Sequence, residues 1–198
     1  MNSRRTILTV GHSSHEFPTF VQLLKRHGVT AIADVRSHPR SRFAHFSRST
    51  LEAGLKTEGV EYVFLGKELG ARRDEAECYV DDRADYRRIA LLPTFVAGME
   101  RIERGSQSHV IALMCAEKDP LDCHRTVLVA RQLSRRGASI GHILADGELE
   151  SQSHAEQRLV RMMGVEPTLF EPDRNNDALI ERAYDERGLQ IAYRRTPN

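Results

Sequence analysis

Between Cys115 and Arg125 the chain crowds Cys115, Glu117, Asp119, Asp122, Cys123, His124 and Arg125 into one short segment. A plain connector between a strand and a helix usually takes about 2–6 residues, so this longer polar link is a candidate site. A thiol at the start of a helix and beside an arginine is drawn toward thiolate, the nucleophilic form, which makes Cys115 or Cys123 a candidate catalytic residue. The two cysteines, eight positions apart, could also close as a redox pair. Together with His124 they offer soft metal ligands, but Cys-x7-Cys-His matches no standard zinc spacing, and no metal is expected here. The bland alternative keeps Cys115 as a small buried hydrophobe and uses Arg125 to brace the loop against Glu117 or Asp34. Asp122 is placed to cap the following helix, and Pro120 stiffens the approach to it.

Two further segments carry chemistry. Gly11-His12-Ser13 could cradle a phosphate with backbone amides and a hydroxyl at a strand-to-helix turn. It is neither a full glycine-rich dinucleotide fingerprint nor a Walker loop, which disfavours a standard NAD or ATP site. Asp34-Val35-Arg36 leads into a basic loop containing His38, Pro39, Arg40, Ser41, Arg42, His45 and Arg48, with Phe43 and Phe46 interleaved. Arginines in such a loop suit bidentate contact with carboxylate or phosphate, and the phenylalanines could offer a stacking face to a base. Asp34 is expected to orient Arg36 or a histidine. Cys78 reads as incidental, His142 as a core or supporting histidine as much as a catalyst, and Met162-Met163 as packing.

The elements that must hold these residues alternate between two periods. Apolar runs at Thr6–Val10, Val29–Val35, Glu61–Leu65, Val110–Cys115 and Ser139–Leu144 predict five strands. Phe17, Phe20, Val21 and Leu24 form one helical stripe, stopped by Gly28; Phe95, Met99 and Ile102 form another, opened by Pro93. Ser49-x-x-Glu52 and Ser153-x-x-Glu156 have capping-box spacing, the first for a helix to about Glu58 and the second for one to about Met163. His124–Arg136 reads as a helix, Tyr86–Leu92 as another, and Gly66–Arg83 as a long loop. The alternation implies a three-layer α/β/α sandwich around a mainly parallel, Rossmann-like sheet of about five strands. Residues 1–163 make a single domain. Residues 164–198 read as an extension packed on it: a linker to Asn176, a short helix, and a possible edge strand at Leu189–Tyr193.

At 198 residues the chain is long enough to bury a substantial core without staples. Hydrophobic residues make up 40% and charged residues 29%, which excludes wholesale disorder. No apolar run reaches the ~18 residues of a membrane span, and Met1–Val10 lacks the apolar core of a signal peptide. Three cysteines, an odd number, argue against a disulfide framework and for a reducing cytoplasm. Net charge is only +1, but residues 1–50 hold eight Lys/Arg against two Asp/Glu.

Right-handed crossovers bring all parallel strand ends to one side, where ligands of open α/β sheets bind. Thr9-Val-Gly-His-Ser13, Asp34-Val-Arg36 with Pro39-x-Ser41-Arg42, Tyr62 with Leu69-Gly70, and Cys115-Ala-Glu117-x-x-Pro120-x-x-Cys123-His124-Arg125 would meet there. On these motifs the chain resembles, from about Thr6 to Met163, the bacterial family called domain of unknown function 488. Ala71 departs from that pattern, where a second glycine is common. The resemblance implies an α/β fold and a site built from these motifs, and it supplies no reaction.

The leading expectation is an enzyme or enzyme-like domain binding a small phosphorylated or nucleotide-like anion. Arg36, Arg42 and Arg125 would hold the anion, with Gly11, Ser13, Ser41 and His124 around it. His12 would act as general acid–base, oriented by Glu117 or Asp34. Glu117, Arg125, His12 and Arg36 should then line one pocket of about 300–1,000 Å³. The alternative is a thiol enzyme for sulfur or phosphoryl transfer using Cys115 or Cys123. Its strand-Cys-loop-helix unit resembles rhodanese-like domains, but the separation of Cys115 from His124 breaks that family's compact loop. A third class, a nucleic-acid-binding module on the Arg36–Arg48 loop, is disfavoured by the near-neutral total charge. The sequence names neither a cofactor nor an oligomeric state.

Overall fold

A computed structural model of the protein describes residues 6–166 and 176–195. Five strands run parallel: β1 (Thr6–Gly11), β2 (Ala31–Asp34), β3 (Glu61–Phe64), then β6 (Ile111–Cys115) and β7 (Ser139–Ile143). Between them a small hairpin, β4 (Tyr79–Val80) with β5 (Arg83–Ala84), stands apart from the main sheet. A short antiparallel strand, β8 (Leu149–Ser151), adds an edge on β7, and the sheet order is β3-β2-β6-β1-β7-β8. The expected α/β fold with a mainly parallel sheet is therefore what the chain forms.

Helices cover both faces because alternate strand residues are apolar on both sides. Leu8, Val10, Ile32 and Met114 meet α1 (Phe17–Arg26) and α2 (Arg48–Thr57) through Phe20, Leu24, Leu51 and Leu55. Ile7, Ala33 and Leu113 meet the opposite layer through Phe95, Met99 and Ile102. That layer contains α3 (Gly66–Leu69), α4 (Tyr86–Ala90), α5 (Pro93–Gly105) and α6 (Arg131–Arg135). Pro93 opens α5 at a position whose N–H needs no helical partner, as expected. The last helices, α7 (Gln152–Met163) and α8 (Asn176–Ile191), share a cluster in which Leu159, Ala183 and Tyr184 are buried.

Several boundaries differ from the sequence reading. Gly66–Arg83 is not a plain loop: it holds α3 and the hairpin, whose turn residues Asp81 and Asp82 take φ of 48° and 59°. Helix α2 begins at Arg48, not at Ser49, because a 3-10 turn over Ala44–Phe46 buries Phe46 and feeds straight into it. The cap of α7 is Ser151, whose hydroxyl accepts the His154 N–H at 3.2 Å, so Ser153 is already helical. No strand forms over Leu189–Tyr193, since α8 runs to Ile191 and only Arg194 bridges, to Arg83. Most of the linker expected before Asn176, residues 167–175, lies outside the described residues, as does Met1–Arg5 of the amino-terminal segment.

The strand order creates a switch point. From β2 the chain moves outward to β3, and from β6 it moves the other way, past β1 to β7. The connections leaving the carboxyl ends of neighbouring β2 and β6 therefore diverge and leave a crevice. Asp34-Val35-Arg36 forms one side of it and Cys115-Ala116-Glu117 the other.

Candidate functional site

A cavity of about 360 Å³ occupies this crevice, a size suited to a small-molecule ligand. Arg36, Cys115, Glu117, Cys123 and His124 line it, together with His38, Arg40, Arg72, Tyr86 and Tyr193. Of the four residues expected to share a pocket, Arg36 and Glu117 do so, while His12 and Arg125 do not.

Cys115 ends a buried strand in the middle of the sheet. A 3-10 turn over Pro120–Asp122 folds the following loop back, so that Cys123 returns to Cys115. That turn is capped by Asp119, which accepts the Leu121 N–H at 2.8 Å. Asp122, expected to cap the helix, instead pairs with Arg187 of α8. The helix after Cys123 starts as a π-helical segment, Arg125–Ala130, before tightening into α6. Such wide turns recur at functional sites. Cys123 Sγ itself accepts the Arg125 N–H at 3.4 Å.

His124 reaches from this entry to the β2 side, with Nε2 2.9 Å from the Val35 carbonyl oxygen. A carbonyl only accepts, so Nε2 carries a proton and Nδ1 faces the sulfurs, 3.8 Å from Cys115 and 3.9 Å from Cys123. Among the described residues, these three donor atoms form the group able to hold a metal ion, all within 4.8 Å of one another.

The electrostatics push the two thiols in opposite directions. Burial alone would raise the Cys123 thiol, but the neighbouring Cys115 thiol and the charges of Arg125 and His124 outweigh it and hold it well below the usual thiol range. The adjacent Cys123 thiol, burial and the Cys123 charge push Cys115 well above it. Burial would lower His124, yet Cys123 opposite raises it. Burial and the Cys123 charge also raise Glu117.

Arg125 lies fully buried under the loop, donating to the Glu117 carbonyl at 2.7 Å. No carboxylate pairs with it among the described residues, and its Nε finds no partner. Gly11 makes room for this arrangement, since a Cβ there would sit 1.9 Å from the Glu117 carbonyl oxygen. Arg125 thus braces the loop from beneath, and the partner is the Glu117 backbone rather than its carboxylate.

Arg36 is similarly committed. Its Nε and Nη2 clamp Asp34 at 2.9 and 2.6 Å, and its Nη1 donates to the Phe46 carbonyl at 2.9 Å. His12 Nε2 lies 3.3 Å from the same Nη1, and His12 Nδ1 donates to the Ser13 carbonyl at 3.0 Å. With both nitrogens occupied and the ring stacked on Phe46, His12 is held neutral; burial brings it down to about 4. It stands behind Arg36, away from the cavity.

The remaining sequence candidates are dispersed. The amides of His12 and Ser13 donate to the Cys115 and Ala116 carbonyls at 2.9 Å each, extending the β1–β6 ladder, so they are not free to cradle a phosphate. Ser13 borders a separate cleft with Lys118 and Asp146. Ser41 lines another groove with Pro39 and Arg48, and exposed Arg42 lies over Phe43. Phe46 is fully buried, so it offers no face to a base.

The sequence does not mark Arg72 and Tyr193 as site residues, and it marks Arg40 only as part of a basic loop. Arg72 follows α3, its N–H bonded to Ser37 Oγ at 2.9 Å and its guanidinium 4.7 Å from the Tyr193 ring centroid. Both arginines are exposed on the cavity wall, and neither is in an ion pair among the described residues. Only the bare charge of Arg72 signalled it in sequence, inside a stretch without periodicity.

Among the described residues no helix is long and apolar enough to cross a membrane. No curated protein and no solved structure matches the chain. A family model described as "Domain of unknown function DUF488" matches residues 16–132, which hold all the cavity-lining residues except Ile191 and Tyr193. With more than half of its length matched, the chain belongs to the DUF488 family.

Proposed function

We propose that the protein is an enzyme acting on a small phosphorylated or nucleotide-like anion bound in the cavity between β2 and β6. One observation carries this reading: Arg40 and Arg72, two arginines without carboxylate partners among the described residues, overlook a floor made of Cys115, Cys123 and His124. An arginine on a cavity wall with no ion partner is suited to a bidentate oxyanion contact. Arg36 supports the wall and fixes Asp34, rather than being the main anion contact. The floor supplies the reactive groups, and Glu117 stands beside them. A second reading, in which Cys123 itself attacks the ligand, is favoured by His124 Nδ1 lying 3.9 Å from its sulfur.

A thermal-shift panel of nucleoside monophosphates and sugar phosphates tests the anion. At least one member should raise the melting temperature of the wild type, and the shift should vanish in an Arg40→Ala/Arg72→Ala double variant. No shift with any member, or an unchanged shift in the double variant, contradicts the reading.

A further inference from the structure

We infer that Cys115 Sγ, Cys123 Sγ and His124 Nδ1 form a zinc site with three protein ligands, its fourth position opening into the cavity. The donor set is the first support. Two thiolates and an imidazole suit zinc, and three protein ligands with one open position is the arrangement of catalytic zinc centres. Distances are the second. With Zn–S of about 2.3 Å and Zn–N of about 2.0–2.1 Å, tetrahedral geometry puts sulfur and nitrogen ligands about 3.6 Å apart. The sulfurs lie 3.8 and 3.9 Å from Nδ1, a few tenths of an ångström from that spacing.

The surroundings are the third support. Zinc-bound histidines commonly donate their other nitrogen to a carbonyl or carboxylate, which fixes the ring and leaves a lone pair for the metal. His124 Nε2 does this with Val35 at 2.9 Å. The Arg125 N–H directed at Cys123 Sγ stabilises negative charge on that sulfur. The buried Arg125 guanidinium, which has no carboxylate partner among the described residues, does so at longer range. All three ligands sit on firm elements, Cys115 at the end of β6 and Cys123 and His124 at a helix entry. The spacing Cys-x7-Cys-His hides the site in sequence because the 3-10 turn over Pro120–Asp122 closes the gap.

Binding at the fourth position rests on the cavity being the ligand site; the three-ligand zinc site does not. A zinc ion there would act as a Lewis acid toward an oxygen of the bound anion or toward water.

The test uses the full chain, stripped of metal and titrated with Zn²⁺ against a chromogenic chelator. About one zinc per chain should bind, and Cys115→Ser and Cys123→Ser should each weaken binding at least about ten-fold. Cys78→Ser, which alters a buried thiol outside the cavity, should leave affinity unchanged. Because a variant could fail by misfolding, Co²⁺ added to the wild type gives an independent readout. Thiolate-to-cobalt charge-transfer absorption together with tetrahedral visible bands is expected. A wild type that leaves Zn²⁺ with the chelator, a Co²⁺ spectrum without thiolate bands, or equal affinity in wild type and both serine variants overturns the inference. The Arg40→Ala/Arg72→Ala variant should keep its zinc, which separates this result from the fate of the anion reading. Zinc bound without any anion overturns the proposed function and upholds the metal site; anion bound without zinc does the reverse.

Discussion

Asp34 and Arg36, two positions apart at the end of β2, are locked in a buried bidentate ion pair. The carboxylate also accepts the Arg36 N–H at 3.1 Å and the Tyr62 hydroxyl at 2.7 Å. Removing one partner leaves an uncompensated charge in the interior, which costs about 3–5 kcal/mol. Asp34→Ala and Arg36→Ala should each lower unfolding free energy by about that amount in a urea titration. A loss under about 1 kcal/mol in either would show that the pair does not hold the cavity wall.

Gly11 is the second point where the scaffold shapes the site. Its missing Cβ admits the Glu117 carbonyl, and the severe clash a Cβ would meet is with backbone rather than with the nearby Arg125 side-chain tip. Gly11→Ala should destabilise the fold by about 1–3 kcal/mol and displace the loop that bears Glu117. Chemical denaturation and ligand titration read the two effects; an alanine variant equal to wild type in both would contradict the close approach.

His142 sets a pH dependence. Gln152 Nε2 donates to Glu156 and to the Tyr184 hydroxyl, so its Oε1 accepts from His142 Nε2 at 2.9 Å. Thr9 Oγ1 then donates to Nδ1 at 2.9 Å, and the ring is neutral. Burial lowers this histidine from 6.5 to about 4, with Arg125 and Arg158 also opposing its charge and Gln152 and Glu150 favouring it. Between those values the unfolded chain binds the proton and the folded one does not, so stability falls as pH drops from about 6.5 to about 4. The loss attributable to His142 is about 3 kcal/mol, and His142→Gln should make the curve shallower in that window, leaving the share of His12, which is lowered to about 4 as well. Parallel pH profiles for wild type and variant would contradict this.

Tyr184 ties α8 to the body of the protein, its ring buried in the cluster with Leu121, Val127 and Leu159. Tyr184→Ala should cost about 3–5 kcal/mol, as deletion of a buried aromatic does. A melting temperature within a degree or so of wild type would mean that α8 contributes little to the fold.

Much of this architecture was legible because the parallel strands and the main helices carry clean apolar periods: Ile7 to Val10, Ile111 to Cys115, and Phe95-Met99-Ile102. The hairpin at Tyr79–Ala84 was not, since two-residue strands show no alternation and Asp81-Asp82 is an uncommon turn pair. In the site, the strand-end rule puts Arg36, Cys115 and Glu117 on one rim, and all three line the same cavity. The rule could not say that Arg125 turns inward, because its partners are backbone carbonyls that no sequence pattern marks. Nor could it reveal Arg72 and Tyr193, which arrive from an aperiodic segment and from beyond α8.

Alkylation of the floor cysteines tests the central claim most directly: that a small anion binds over Cys123 and His124. Metal-stripped protein is treated with iodoacetamide, with and without a saturating ligand from the thermal-shift panel, and modified peptides are quantified by mass spectrometry. Cys123 should react through the cavity while Cys78, buried and outside it, stays unmodified. The ligand should slow the Cys123 reaction at least about ten-fold, the factor that 1.4 kcal/mol of binding over the thiol would give. An unchanged Cys123 rate under saturating ligand would place the anion elsewhere and contradict the claim.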